Sequence, residues 1–190
     1  GYTYDNGTDS FIKREVDTWY QNTLGKSNYD RMVTSGRFCS DSSGYQDGST
    51  FGGGNIFASM IRLGQSMTNF ASPNAPTLKC PATSESYGGS YRLKAGLITA
   101  DELVLAGENY NVEGNCYLSP GKNGNGYGTM TPVMYNTHYS FPNVWYMQKN
   151  LYYSSVSTLN IFIRPIINVT VDGDFTSGDG SVKSPYVIEG

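Results

Sequence analysis

The sequence is short of charge. Asp, Glu, Lys and Arg make up 15% of its 190 residues, against about 25% in an average globular chain. The formal net charge is −3, and the thirteen Lys and Arg residues are scattered. That excludes a nucleic-acid groove, which needs a basic stripe. No apolar run reaches the roughly 18 residues that a membrane-spanning helix requires, so no membrane insertion is expected of this chain. There is a single histidine, His138. Any Ser–His–Asp or Cys–His mechanism would have to use it. No G-x-S-x-G elbow accompanies it, and Cys39, Cys80 and Cys116 stand in no recognisable nucleophile context. No C-x-x-C pair exists, which argues against a structural zinc site. The glycine clusters at Gly52 to Gly54 and Gly121 to Gly128 neither match a phosphate-cradling loop nor open a helix. Neither enzyme activity nor a cofactor is expected.

What the chain has in excess is glycine, at 23 residues, and tyrosine, at 16. Low charge with much Tyr, Ser, Asn and Gly is the composition of recognition loops. Tyr supplies rigid contact area there, and the small polar residues adapt. The expectation is a β-rich protein that is extracellular or held at a cell surface. The opening residues lack the pattern of a secretory leader, so Gly1 is expected to mark a maturation boundary, with any anchor outside this chain. In an oxidising compartment three cysteines suggest one disulfide and one free thiol; the alternative is three reduced thiols. A Cys39–Cys80 bridge would close a loop of about 40 residues and stabilise by roughly 3–4 kcal/mol on a chain-entropy model.

The clearest helix runs from Asp9 to Leu24, capped by Asp9 or Ser10. Phe11, Ile12, Val16, Trp19, Tyr20 and Leu24 recur at spacings of three and four. Gly25 is expected to stop it as a left-handed cap. DSSGYQDGSTFGGGN reads as loop. IFASMIRL suits a strand or one to two helical turns, and PNAPTLKCP is extended by its prolines. RLKAGLI reads as a strand leading into a second, short helix from Thr99 to Ala106. That helix has a T-x-x-E capping box at Thr99 and Glu102 and a stop at Gly107. From Tyr117 onward the pattern is short strands and turns. Gln148 to Asn150 is a hairpin turn between two aromatic runs. No repeat and no boundary divides the chain, which reads as one α+β domain over residues 1–190.

Several polar groups invite chemistry. Asp101 and Glu102 are better read as first-turn acids that satisfy helix N–H groups and the dipole. Asp172, Asp174 and Asp179 lie in a Gly-rich turn and form a weak calcium candidate. Their spacing misses the EF-hand pattern, and Asp and Gly are ordinary turn residues. Asn6-Gly-Thr8 and Asn168-Val-Thr170 match the glycosylation pattern, which arises often by chance.

The aromatic tract is the strongest functional signal. Tyr127, Tyr135, Tyr139, Phe141, Trp145, Tyr146, Tyr152 and Tyr153 are interleaved with Asn136, Asn143 and Asn150. Val144 to Met147 alternates enough to be core, with Trp145, Met147 and Leu151 inward. Tyr135 to Phe141 has no aliphatic residue and no period of two. Buried, each polar tip there would need a partner. That stretch is expected to be presented surface. The candidate ligand-binding residues are Tyr127, Tyr135, Asn136, His138, Tyr139, Phe141, Asn143, Tyr146, Tyr152 and Tyr153. The partner expected is a protein or a glycan. Self-assembly into an extracellular filament or cell-surface layer is the alternative.

The blocks WYQNTL, RFCSD, PTLKC, GLITADELVLAG, YLSPG, YGTMTP, IRPIINV and GDGSVKSPYVI resemble, in this order, blocks of extracellular domains from Firmicutes and related gut bacteria. Those domains carry GLITADE-, YWTMSP- and RPVINL-like segments. The last two also look like parts of the C-type-lectin fold of the formylglycine-generating-enzyme kind. The resemblance implies two helices flanking a mixed, mostly antiparallel sheet with long loops, and an exposed ligand face between YGTMTP and IRPIINV. Some proteins of that fold are diversified by retroelements that mutate adenines, so that Asn, Tyr and Ser codons vary on a constant scaffold. Two departures matter. Gly128 stands where the family usually has Trp. No Cys follows Cys116, so the catalytic copper-binding cysteines have no counterpart and enzyme activity does not carry over.

Overall fold

The computed structural model describes residues 10–41, 50–51, 54–63, 75–80, 88–108, 118–120, 125–136, 141–157, 160–170, 177–179, 183–184 and 187. Three helices and ten strands form a mixed α+β arrangement. Helix α1 is Phe11–Thr23. Ser10 caps it, and its Oγ accepts from the Lys13 N–H at 3.2 Å. A short 3₁₀ turn, Asn28–Met32, follows. The strands are β1 (Val33–Thr34), β2 (Gly36–Asp41), β3 (Thr50–Phe51), β4 (Gly54–Ile56), β5 (Gly88–Leu93), β6 (Ala95–Gly96), β7 (Tyr127–Asn136), β8 (Phe141–Met147), β9 (Leu151–Ser155) and β10 (Ile166–Val169). Helices α2 (Ala58–Arg62) and α3 (Ala100–Leu105) lie between β4 and β5 and between β6 and β7.

Among the described residues the strands fall into three sheets, and every strand pairing within them is antiparallel. The orders are β3-β4-β7-β8-β9, β1-β10-β6 and the ribbon β2-β5. β3 and the first two residues of β4 fall inside a stretch expected to be loop. Pro132 sits in the central strand β7, which its missing N–H ordinarily forbids. The register shifts on both sides of it, between Gly128 and Pro132 and between Pro132 and Met134. The proline is accommodated at an irregularity rather than in a regular ladder.

Two hydrophobic cores result. Met60, Leu63, Ala100, Leu103, Tyr127, Val133, Met134, Trp145, Met147 and Leu151 pack together between α2, α3 and the five-stranded sheet. Val16, Tyr20, Val33, Ala95 and Leu97 form the second, beneath α1. The buried stripe of α1 is narrower than its periodicity predicts. Val16 and Tyr20 are buried, whereas Phe11, Ile12 and Trp19 are exposed. Gly25 does not have the positive φ expected of a left-handed cap. The helix closes instead with the Leu24 and Gly25 N–H groups sharing the Tyr20 carbonyl at 3.0 and 2.8 Å.

α3 follows its sequence closely. Thr99 Oγ1 accepts from the Glu102 N–H at 3.1 Å, and Glu102 Oε2 accepts from the Thr99 N–H at 2.7 Å. Gly107 has φ +103°. The Glu108 N–H reaches back to the Leu103 carbonyl at 3.0 Å, which is the six-to-one bond of a Schellman ending.

Three polar ties hold the elements in place. Tyr20 donates its hydroxyl to Asp30 Oδ1, which also accepts from Lys94 Nζ at 2.7 Å. Lys94 holds the Asp30 carboxyl below its ordinary pKa, with the Tyr20 hydroxyl adding to the effect. Arg62 grips Asp101 with two bonds of 2.7 Å, and the Thr77 N–H adds a third at 3.0 Å. Asp101 is 3% exposed. Its first-turn position is therefore only part of its role, since it joins α2, α3 and the extended segment 75–80. Cys39 and Cys80 form the expected disulfide, with Cα atoms 5.3 Å apart and a separation of 41 residues.

Two glycines permit close approaches. A Cβ on Gly96 would lie 2.3 Å from the Phe38 ring, and one on Gly36 would lie 1.8 Å from the Asn168 amide.

Candidate functional site

The tract singled out by composition forms the β7–β8–β9 meander. Gln148 to Asn150 makes the turn between β8 and β9. The Gln148 N–H donates to the Asn150 carbonyl at 3.1 Å. The β8–β9 register pairs Asn143 with Ser155, Val144 with Ser154, Trp145 with Tyr153, Tyr146 with Tyr152 and Met147 with Leu151. Because side chains alternate along a strand, this register divides the candidate residues between two faces.

One face carries Asn143, Trp145 and Met147 on β8, with Leu151, Tyr153 and Ser155 on β9. Trp145, Met147 and Leu151 are fully buried, as their alternation predicts. Tyr153 meets Trp145 edge-on, with centroids 5.6 Å apart and planes at 76°. Tyr153 and Asn143 are half-buried. They border the core face rather than sharing a surface with Tyr146.

The other face carries Val144, Tyr146, Tyr152 and Ser154. Val144 is buried, and the two tyrosines are half-buried. Their rings stack with centroids 6.0 Å apart and planes at 30°. Asn150, 6% exposed, donates from Nδ2 to the Tyr152 hydroxyl at 3.1 Å and so fixes the tip of that ring. Burial raises the Tyr146 phenol above its ordinary pKa, and the neighbouring Tyr152 raises it further. The pair is an aromatic plate with hydroxyl edges. It can stack on an apolar ring face and exchange hydrogen bonds with a polar rim.

Tyr127 is placed differently from the expectation. It is 3% exposed and belongs to the core. Its hydroxyl donates to the Leu118 carbonyl at 2.9 Å, a carbonyl that also accepts from Arg164 Nη1 at 2.9 Å. The Arg164 guanidinium lies 5.1 Å from the ring centroid. A tyrosine closed in on its face and at its tip is scaffold, and this takes it off the ligand face. Gly128, standing where the resemblance places a tryptophan, is buried directly across from Tyr146. A Cβ added there would come 3.0 Å from Ile161 Cδ1, so Ile161 occupies the space above it.

For Tyr135, Asn136 and Phe141 the backbone is described. Tyr135 pairs with Pro142, and Asn136 pairs with Phe141. These three candidates therefore stand at the end of the meander away from the Gln148 to Asn150 turn. His138 and Tyr139 lie outside the described residues, as do Asp172 and Asp174. Asp179, the third calcium candidate, is exposed, and its N–H donates to the Ser184 carbonyl at 2.9 Å. Among the described residues no three His, Cys, Asp or Glu side chains are grouped to hold a metal. None of the described helices is long and apolar enough to cross a membrane.

No family model matches this chain, and neither the curated proteins nor the solved structures contain a significant match.

Proposed function

We propose that this chain is a surface-displayed ligand-binding domain of adhesin or receptor type, with a C-type-lectin-like fold and a Tyr/Asn-rich binding face. The observation that supports it is the Tyr146–Tyr152 plate. It is stacked, partly accessible and tied at one tip by Asn150, and the Trp145 layer anchors it from behind. Rigid aromatic area with polar edges gives contact at low entropic cost. The ligand class is a glycan or protein surface with an apolar ring or patch bordered by hydrogen-bonding groups. The setting is extracellular or on the bacterial cell surface.

A glycan array and a panel of surface-protein extracts, probed with the full chain and with Y146A/Y152A, test this reading. Loss of the captured ligand by a double variant that still folds supports it. Equal capture by both chains overturns it. The reading includes no catalytic step, so turnover in a broad hydrolase screen would also count against it. Diversification of the tract is a separate part of the proposal. It requires a nearby reverse transcriptase and a template repeat differing at adenines, and a gene neighbourhood lacking both removes it.

A second reading, self-assembly into a filament or surface layer, is favoured by the exposed Phe11, Ile12 and Trp19 of α1 together with Phe162 and Ile163. Sedimentation that gives only monomer at high concentration would overturn that reading.

A further inference from the structure

A second candidate site lies away from the tyrosines. A cleft of about 280 Å³ is lined by Arg37 and Cys39 of β2, by Leu78, Lys79 and Cys80, and by Asp101 and Thr131 among others. This is at the small end of ligand pockets, which run from about 300 to 1,000 Å³. Its charges are unequal in their commitments. Asp101 is gripped by Arg62 and the Thr77 N–H. Glu102, also in the lining, is held by the N–H and hydroxyl of Thr99. Asp101 is therefore occupied by a cation within the protein, and Glu102 is occupied through one oxygen by neutral donors.

The cations Arg37 and Lys79 are not. The ion pairs of the described residues join Lys13 to Asp17, Arg62 to Asp101 and Lys94 to Asp30, and leave both out. Moreover, Arg37 stands directly across from Arg92 in the β2–β5 register. Arg92 is likewise exposed and outside those pairs. Like charges directly opposed on neighbouring strands are destabilising. Two guanidiniums without a carboxylate, in a chain of net charge −3, form a local excess that folding alone does not require. The disulfide holds the Lys79 segment against β2, since Cys80 is bonded to Cys39 on the strand that carries Arg37. Thr77, Thr99 and Thr131 belong to the same lining, beside the apolar Leu78 and Leu97; their hydroxyl oxygens accept from the Lys79, Glu102 and Ala100 N–H groups.

We propose that this cleft binds a small acidic ligand, an acidic monosaccharide bearing a carboxylate. Arg37 and Lys79 of the lining receive its acid group, Arg92 adds its charge from across the ribbon outside the lining, and the threonine and leucine lining takes its hydroxylated ring. Guanidinium pairs suit this chemistry because their planar forks match carboxylate geometry. The site is independent of the tyrosine plate.

Titration of the full chain with glucuronate, glucose and inorganic sulfate, each followed by amide chemical-shift changes, tests the proposal. Glucuronate is expected to bind, to shift residues around Arg37 and Lys79, and to weaken as salt is added. Glucose is expected to show no binding over the same range, and sulfate to bind more weakly than glucuronate. R37Q/R92Q is expected to lose at least about tenfold in affinity, a change of roughly 1.4 kcal/mol. It should melt no lower than the parent, because a repulsion has been removed. Equal binding of glucose and glucuronate, sulfate binding as tight as glucuronate, unchanged affinity in R37Q/R92Q, or no glucuronate response up to about 10 mM would each overturn it.

Discussion

The β8–β9 hairpin, at one edge of the five-stranded sheet, and the two-stranded β2–β5 ribbon are both antiparallel, and they carry opposite surfaces. At the heart of one, Tyr146 faces Tyr152 and the rings stack. On the other, Arg37 faces Arg92 and neither has a carboxylate partner among the described residues. The first cross-strand pair contributes to folding and offers contact area as well. The second costs a few tenths of a kcal/mol and contributes nothing to the ribbon that the local contacts show. The difference separates residues that local energetics explain from residues that they do not.

The largest break in this comparison is expected behind the hairpin. Trp145 is fully buried in the core, and its Nε1 donates to Ser59 Oγ at 3.4 Å. Trp145→Ala should cost about 3–5 kcal/mol in urea unfolding. A loss under about 1 kcal/mol would show that the hairpin is not anchored there. Next, Asp101→Ala strands Arg62 beneath the cleft and should cost about 3 kcal/mol. Asp101→Asn should recover part of it by keeping an acceptor for Thr77, and equal losses for both variants would count against the ion pair.

Tyr152→Ala removes the stack and should cost about 1 kcal/mol. A double-mutant cycle with Tyr146→Ala isolates the coupling, and zero coupling would mean that the rings merely lie near each other. The same plate should be sensitive to alkali. The Tyr146 phenol is raised by burial and then by Tyr152. Its contribution is therefore complete below the unfolded tyrosine pKa, about 10. It is lost as pH rises through the higher folded value. Spectrophotometric titration should find late phenols, Tyr20 being raised as well by burial and by Asp30, and Tyr146→Phe should remove one of them. The smallest effect has the opposite sign. Arg92→Gln should stabilise by a few tenths of a kcal/mol, and added salt should raise the melting temperature of the parent more than that of the variant. A destabilised variant would show that the arginines support the ribbon.

The sequence was most legible where a local signal sufficed. The Thr99–Glu102 box, the Gly107 stop, the Gln148–Asn150 turn and the inward Trp145, Met147 and Leu151 all rest on contacts a few residues long. The Cys39–Cys80 pairing was expected beside an alternative of three reduced thiols, and the structure forms it. Long-range choices were less visible. Helical spacing marked Phe11, Ile12 and Trp19 as apolar, but whether another element covers them is decided elsewhere in the chain. Tyr127 belongs by composition with the other tyrosines, and only the Leu118 carbonyl and Arg164 show it to be scaffold. Asp101 looked fully explained by its helix, and its partner Arg62 lies 39 residues upstream. The Arg37–Arg92 opposition is invisible without the register, since nothing in either segment names the other.

Asn168 gives the close packing at Gly36 a practical meaning. Its amide lies over that glycine on β10, which is hydrogen-bonded on both sides, to β1 and β6. The Asn168-Val-Thr170 acceptor is thus folded into a sheet, whereas oligosaccharyl transfer needs an accessible amide. In a eukaryotic secretory host a sugar chain could reach Asn168 only before β10 docks, and would then stand in the space where Gly36 has to sit. Production in such cells would set modification and folding in competition, and replacing Thr170 with Ala would remove the acceptor while leaving the asparagine in place.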